Sequence, residues 1–508
     1  MSDAVHRRLG AAILEPGLVE FRVWAPNAGS VAVLLGDDEH ELSDAGDGVF
    51  EGELFADAGD DYWLVLPQGR FPDPCSRFQP EGVRGPSRIV DTGSFAWHAD
   101  RPAFTLDELV IYELHVGCFS EAGTFDGAIE HLPALRELGV TAIELMPVAT
   151  FPGNRGWGYD GLYSFAPHPA YGGPEGLVRL VDAAHQAGLG IILDVVYNHI
   201  GPGSETIAAF GPYFTDRHDT FWGAAIDYAQ DGVREWALQN AEQWIRDYRI
   251  DGLRLDAVHA IYDERDPHVL AELTGRVKAI NPAALVISEV EIGDWRPIEE
   301  WGHDAQWVDS AHHGLHVQLT GEHDGYYDRF GEVDKLANDL LGAGHDPRKQ
   351  VICAQNHDQI GNRAFGDRLS PAALRVAAAC TLFSPCTPLL FMGEEYGETN
   401  PFQFFTDHID PAIAEATRSG RKREFASFAA FAGAELPDPQ AEETFLRSKL
   451  DRSQASEETR AFYAELLRLR RELPPETEAV PGDRALTLRR GPVELHADFA
   501  AQTVELRP

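Results

Sequence analysis

The chain has 508 residues, 44% of them hydrophobic and 24% charged, so it is long enough for a large core and for more than one ordinary domain. A formal net charge of −40 excludes nucleic acid and anionic membranes as partners, because both need a basic footprint. The five cysteines (75, 118, 353, 380 and 386) are scattered without CxxC spacing, and no run reaches membrane-spanning length, so a cytoplasmic protein with buried free thiols is expected.

Along residues 1–95, VEFRVWAP, SVAVLL, FEGELF and DYWLVLP alternate apolar and polar residues between turn signals. That pattern predicts an antiparallel β-sandwich. The Pro/Gly/Arg-rich stretch 66–90 reads as a linker lying over the next domain.

From residue 108 strands and helices alternate. VIYELHVGCF is a first strand, and DGAIEHLPALRELG an amphipathic helix closed by Gly139. TAIELMPV is the second strand, followed by a helix with Leu177, Leu180, Val181 and Ala184 on one face. GIILDVV is the third. The aromatic stretch 200–230 reads as a loop insertion before the helix REWALQNAEQWIRDY. LRLD, LVISE, AQWVDSAHH, VICAQN and PLLFMGEEYG bring the strand candidates to eight, enough to close a (β/α)8 TIM-type barrel in an α/β protein. Residues 455–473 supply the last barrel helix, and three alternating runs in 478–508 predict a small C-terminal β-sheet. The expected division is 1–95, 96–475 and 476–508.

Four of the strand candidates share one design. GIILDVVYNH (190–199), DGLRLDAVH (251–259), LVISE (285–289) and VICAQNHDQIGN (351–362) are apolar runs that end in an acid. Any one acid would serve as a helix cap or an arginine partner, but four at strand ends predict convergence at one barrel mouth. The spacing leaves the strand numbering open. Asp256 and Glu289 are 33 residues apart, one unit, whereas the gaps of 62 from Asp194 to Asp256 and 69 from Glu289 to Asp358 fit either two units or one with an insertion.

Converging acids without a phosphate-binding loop suit glycosidic bond cleavage, which needs one protonated and one ionised carboxyl group. Arg254, two residues before Asp256 on the same strand face, favours the ionised form of Asp256 as a nucleophile. Glu289 has no cation in its own segment and is the better candidate for the protonated acid. His199, His259 and His357 are candidate partners for sugar hydroxyls, and Trp157 and Tyr159 candidate stacking faces. The pairs His312-His313 and His357-Asp358, placed on strands, point to opposite faces and make no ready metal site, so neither metal nor cofactor is expected.

DVVYNH, GLRLDAVH, the strand ending in Glu289 and QNHDQIGNR resemble the four signature regions of the α-amylase superfamily of retaining glycosidases. The resemblance implies a catalytic barrel carrying these regions on strands three, four, five and seven. It implies Asp256 as nucleophile, Glu289 as acid/base and Asp358 as transition-state stabiliser, with Asp194, His199, Arg254, His357 and Tyr159 lining the reacting subsite. Asp309, His312, His313, Gln359 and Asn362 are further candidate sugar contacts. FRVWAPNAGSVAVLL resembles the N-terminal sandwich of the branching, debranching and trehalose-releasing members, and QIGNRAFGDRL and PFQFFTDH favour the last group. That implies a malto-oligosyltrehalose substrate and, as functional partner, a synthase that makes it. A branching or debranching enzyme acting on α-1,6 linkages, and a glucan-binding scaffold without activity, are the alternatives.

Overall fold

The structure is a computed structural model that describes residues 4–220, 223–425 and 435–508; Phe221 and Trp222 of the expected insertion lie outside the described residues. Two antiparallel sheets form the N-terminal region. One comprises Gly10–Glu15, Leu18–Trp24, Val49–Phe55 and Ser43–Gly46, and the other is built around Ala32–Leu35 and Asp61–Leu66. Their inner faces meet through residues such as Phe21 and Tyr62, whose rings pack edge to face at 5.0 Å. The stretch 66–90 is not a linker. It adds strand Gly69–Phe71 and the pair Ser87–Arg88 to the second sheet. Asp73 within it is buried, accepting from the Tyr62 hydroxyl at 2.7 Å and the Cys75 N–H at 2.7 Å. Its polar side chains satisfy one another, which lets a Pro/Gly-rich segment enter the core.

Eight parallel strands close the barrel: β1 (Ile111–Leu114), β2 (Ala142–Leu145), β3 (Gly190–Val195), β4 (Gly252–Leu255), β5 (Leu285–Ser288), β6 (Ala305–Trp307), β7 (Gln350–Cys353) and β8 (Thr387–Phe391). β8 pairs with β1, Leu389 opposite Ile111, so no edge remains. Every residue of these strands is buried, because helices cover the outer faces and side chains fill the interior. The helix Gly173–Gln186 buries Leu177, Leu180, Val181 and Ala184 as its periodicity predicts. The first barrel helix is broken into Phe125–Ile129 and Leu132–Leu138, because Pro133 has no N–H to continue the ladder. It ends at Gly139 with φ 115°.

The stretch after β3 holds a short helix (Glu205–Ala208) and a hairpin (Phe214–Thr220 with Gly223–Ile226) ahead of helix Asp231–Arg246. The run AQWVDSAHH is strand only to Trp307; helix Asp309–Thr320 begins two residues later. His312 and His313 therefore lie on a helix, and His357 and Asp358 open another (His357–Gly361), so the strand-alternation argument applied to these pairs does not hold. The last barrel helix is Glu457–Glu472. Beyond it a four-stranded antiparallel sheet runs from residue 477 to 507. Its first strand, Thr477–Gly482, was not expected from TEAVPG; it is an edge strand, where Pro481 costs no ladder bond. All five cysteines are free and buried.

Candidate active site

The C-terminal ends of the strands bring the acids together. β4 carries Arg254, whose buried guanidinium lies over the Trp307 ring of β6 at 4.2 Å from its centroid. One nitrogen of this group contacts Asp194 Oδ2 at 2.7 Å and Asp256 Oδ1 at 2.8 Å, and the other faces Glu289 Oε2 at 2.9 Å. The other oxygen of Asp256 accepts from Asn198 Nδ2 at 2.7 Å. Both Asp256 oxygens thus act as acceptors, from Arg254 on β4 and from Asn198 in the loop after β3.

Glu289 does have a cationic neighbour, contrary to the expectation from its own segment, because Arg254 reaches it from the adjacent strand. Burial nevertheless raises its pKa above the ordinary carboxylate value; Arg254 opposes that and the charge of Asp256 reinforces it. The direction expected for an acid holds for a different reason. Glu289 also accepts from the Ala257 N–H at 2.8 Å.

Exposure separates the acids into two groups. The side chains of Asp256, Glu289 and Asp358 are 10%, 21% and 29% exposed, whereas those of Asp194 and Glu113 are 1% exposed. Of these five, only the first three are open at the mouth. Asp194 is raised to about 7 by burial, against the pull of Arg254, and receives the Tyr159 hydroxyl at 2.6 Å.

Tyr159 stacks on His357 with ring centroids 5.1 Å apart, and its hydroxyl is 2.8 Å from His357 Nε2. Trp157 is no open platform: it is buried, stacked on Phe402 at 5.3 Å, and its indole N–H donates to the Gln403 carbonyl. His199 is buried, with its ring nitrogens against Asn198 Oδ1 and the Tyr159 carbonyl. His259 sits half-buried in the turn Val258–Ala260 after β4. Asn362 donates to Asp358 Oδ1 at 3.0 Å, and Gln359 hydrogen-bonds Asp309. Burial, with the charges of Glu289 and Asp358, lifts Asp309 to about 7. His312 and His313 do not join this group. His312 is buried with Nδ1 2.8 Å from the Ala354 carbonyl, and His313 packs on Tyr327 and Phe330. Burial lowers both, His313 to about 4, leaving neutral packing residues.

Four participants were not singled out beforehand: Asn198, Trp307, Glu113 on β1 and Glu144 on β2. Glu113 accepts from the His357 N–H at 2.9 Å and contacts His357 Nδ1. Glu144 is buried, and neither of its oxygens has a hydrogen-bond partner among the described residues. Burial, then the charges of Glu113 and Asp194, raise it well above the usual range and keep it neutral. Their signal was present, since IYEL and AIEL each carry an acid inside an apolar run.

Comparison with known proteins gives the same frame. The family model described as alpha amylase, catalytic domain, matches residues 86–211. The malto-oligosyltrehalose trehalohydrolase of Deinococcus radiodurans is 43% identical over 92% of this chain and 83% of its own length. That of Saccharolobus solfataricus is 40% identical over 89% and 85%. Among solved structures, a putative alpha amylase from Salmonella typhimurium superposes with a TM-score of 0.89 at 37% identity, covering 96% of this chain and 92% of that one. The barrel, its acid-lined mouth and these likenesses over nearly the whole length agree: the chain belongs to the malto-oligosyltrehalose trehalohydrolase family, built on an α-amylase-type barrel.

Proposed function

We propose that this chain cleaves the α-1,4 bond next to a terminal α,α-trehalose unit of malto-oligosyltrehalose and releases trehalose. One observation carries the chemistry: Asp256 and Glu289 sit on neighbouring nitrogens of one guanidinium, Asp256 Oδ1 at 2.8 Å and Glu289 Oε2 at 2.9 Å from Arg254. Carboxyl groups that close suit a retaining pair, set about 5–5.5 Å apart, rather than the wider inverting pair with a water between. In this reading Glu289 gives its proton to the glycosidic oxygen as the C1–O bond breaks, and trehalose departs. Asp256 bonds to C1 of the glucan, and Asp358 grips the sugar. Water then gives a proton to Glu289 and attacks C1, freeing Asp256 and the shortened glucan with retained configuration.

Asp194, Arg254 and Asn198 position these groups, and Tyr159, His357, Asp309, Gln359 and Asn362 line the subsite. The reading also takes 96–475 as a catalytic barrel, with the sandwich 1–95 shaping its mouth and the sheet 476–508 packed on the helices Val333–Leu340 and Pro371–Phe383. A malto-oligosyltrehalose synthase in the same cytoplasm would supply the substrate; no helix among the described residues is long and apolar enough to cross a membrane. Incubation with maltotriosyltrehalose should yield free trehalose. A changed iodine stain on amylose or amylopectin without trehalose release would instead favour a branching or debranching enzyme.

A further inference from the structure

With Asp194 and Glu113 as carboxylates, the proton inventory around His357 has one consistent solution. Asp194 Oδ2 already accepts from Arg254 at 2.7 Å and takes the Tyr159 hydroxyl proton at 2.6 Å. Tyr159 has a single proton, so its oxygen, 2.8 Å from His357 Nε2, accepts there, and Nε2 carries a hydrogen. On the other side of the ring, Glu113 Oε2 accepts from the His357 backbone N–H at 2.9 Å, and Oε1 faces Nδ1. A carboxylate opposite a ring nitrogen requires a hydrogen on that nitrogen as well. Both ring nitrogens are then protonated.

From this geometry we infer that Glu113 is a positioning residue that holds His357 as an imidazolium, so that the mouth carries a second fixed cation besides Arg254. The inference rests on the glycosidase reading for its role, but the charge state is a property of the free protein. The groups facing the ring are Glu113 on β1, His115 just after it, Glu144 on β2, Tyr159, Asp194 on β3, Arg254 on β4 and Asp358. Burial works against the charge, but Asp358 and Glu113 outweigh it and bring His357 to about 10. The role is to orient the proton of Tyr159 toward Asp194 and to set a positive charge 3.4 Å from Asp358 Oδ2, beside the oxocarbenium-forming centre. Glu113 touches no substrate; it acts through His357.

The test starts with the wild-type protein labelled with 15N-histidine, its His357 resonances assigned by loss in His357→Asn. At pH 8 both ring nitrogens of His357 should show imidazolium shifts; a neutral ring at that pH overturns the inference without bearing on the substrate. Glu113→Gln offers one acceptor where two are needed, so His357 should become neutral near pH 7. Its kcat/KM for trehalose release should fall roughly tenfold to a hundredfold, the worth of a charge-assisted hydrogen bond. The loss should deepen as pH rises from 6 to 8, and Glu113→Asp should restore most of the charge and rate. A Glu113→Gln enzyme with an unchanged pH profile refutes the role. Absence of trehalose release by the wild type would instead count against the proposed reaction alone.

Discussion

Ala257, the residue after Asp256, is held in the left-handed conformation at φ 40°, and from there its N–H points to Glu289 at 2.8 Å. A side chain with a Cβ costs about 1–2 kcal/mol in that region, so the turn stores strain between the two carboxyl groups. Ala257→Gly should keep the N–H in place and raise stability by about 1 kcal/mol, read from urea unfolding. Ala257→Val should lower both stability and kcat. A stabilised valine variant would show that the strain is absent.

Asp256→Ala and Glu289→Gln should each lower trehalose release by about 10²–10⁴-fold or more, with an unchanged circular dichroism spectrum. In the wild type, activity should persist above the ordinary carboxylate range and fall as pH rises through the raised pKa of Glu289, which must be protonated to act. Full turnover by either variant would remove that residue from the reaction.

Tyr159→Phe deletes a hydroxyl that joins Asp194 and His357. It leaves two buried partners short of a bond, each worth about 1–3 kcal/mol. The expected outcome is a kcat/KM loss of roughly tenfold or more. The melting temperature should fall as well, by differential scanning calorimetry.

Gly158 has φ +100°, and a Cβ there would lie 2.1 Å from the Pro147 carbonyl oxygen. Gly158→Ala should therefore destabilise by more than about 1 kcal/mol and displace the neighbouring Tyr159. Measuring KM and kcat alongside stability distinguishes a shifted subsite from simple unfolding.

Glu394, fully buried after β8, is raised from 4.5 to about 8 by burial. Between those values only the folded chain keeps the proton, so stability falls as pH rises. His357, raised from 6.5 to about 10, acts in the same direction above 6.5. His115 and His168, lowered to about 4, act oppositely but only below 6.5. Unfolding free energy should therefore decline between pH 6.5 and 8, and Glu394→Gln should make that decline shallower. An equal slope in the variant would mean that Glu394 is ionised in the fold.

The eight barrel strands were legible because burial on both faces writes each as a short apolar run, and LVISE and GLRLD carried their acids at the strand end. AQWVDSAHH misled because three strand residues run straight into a helix, with Asp309 the only sign of the change. The 66–90 segment looked like a linker because its composition hides which polar side chains pair, and that pairing is tertiary. Trp157 reads as a stacking face because a sequence does not show that Phe402, some 245 residues on, covers it. Glu113 and Glu144 read in the sequence as ordinary strand residues. Their importance appears only once β1 and β2 lie beside β3 and β7's loop.

In the line Glu113–His357–Tyr159–Asp194 the His357 ring donates to both sides, Nδ1–H to Glu113 and Nε2–H to Tyr159, whose own hydroxyl then donates to Asp194. Such a line has no independent segments. Loss of any member frees the protons of the others to reorient, so the first break already costs most of what the line supplies. The combined variant Glu113→Gln with Tyr159→Phe should then be little worse than its poorer parent, well short of the product of the two losses. Glu113 on β1 and Asp194 on β3 would in that sense act, and fail, as a single unit.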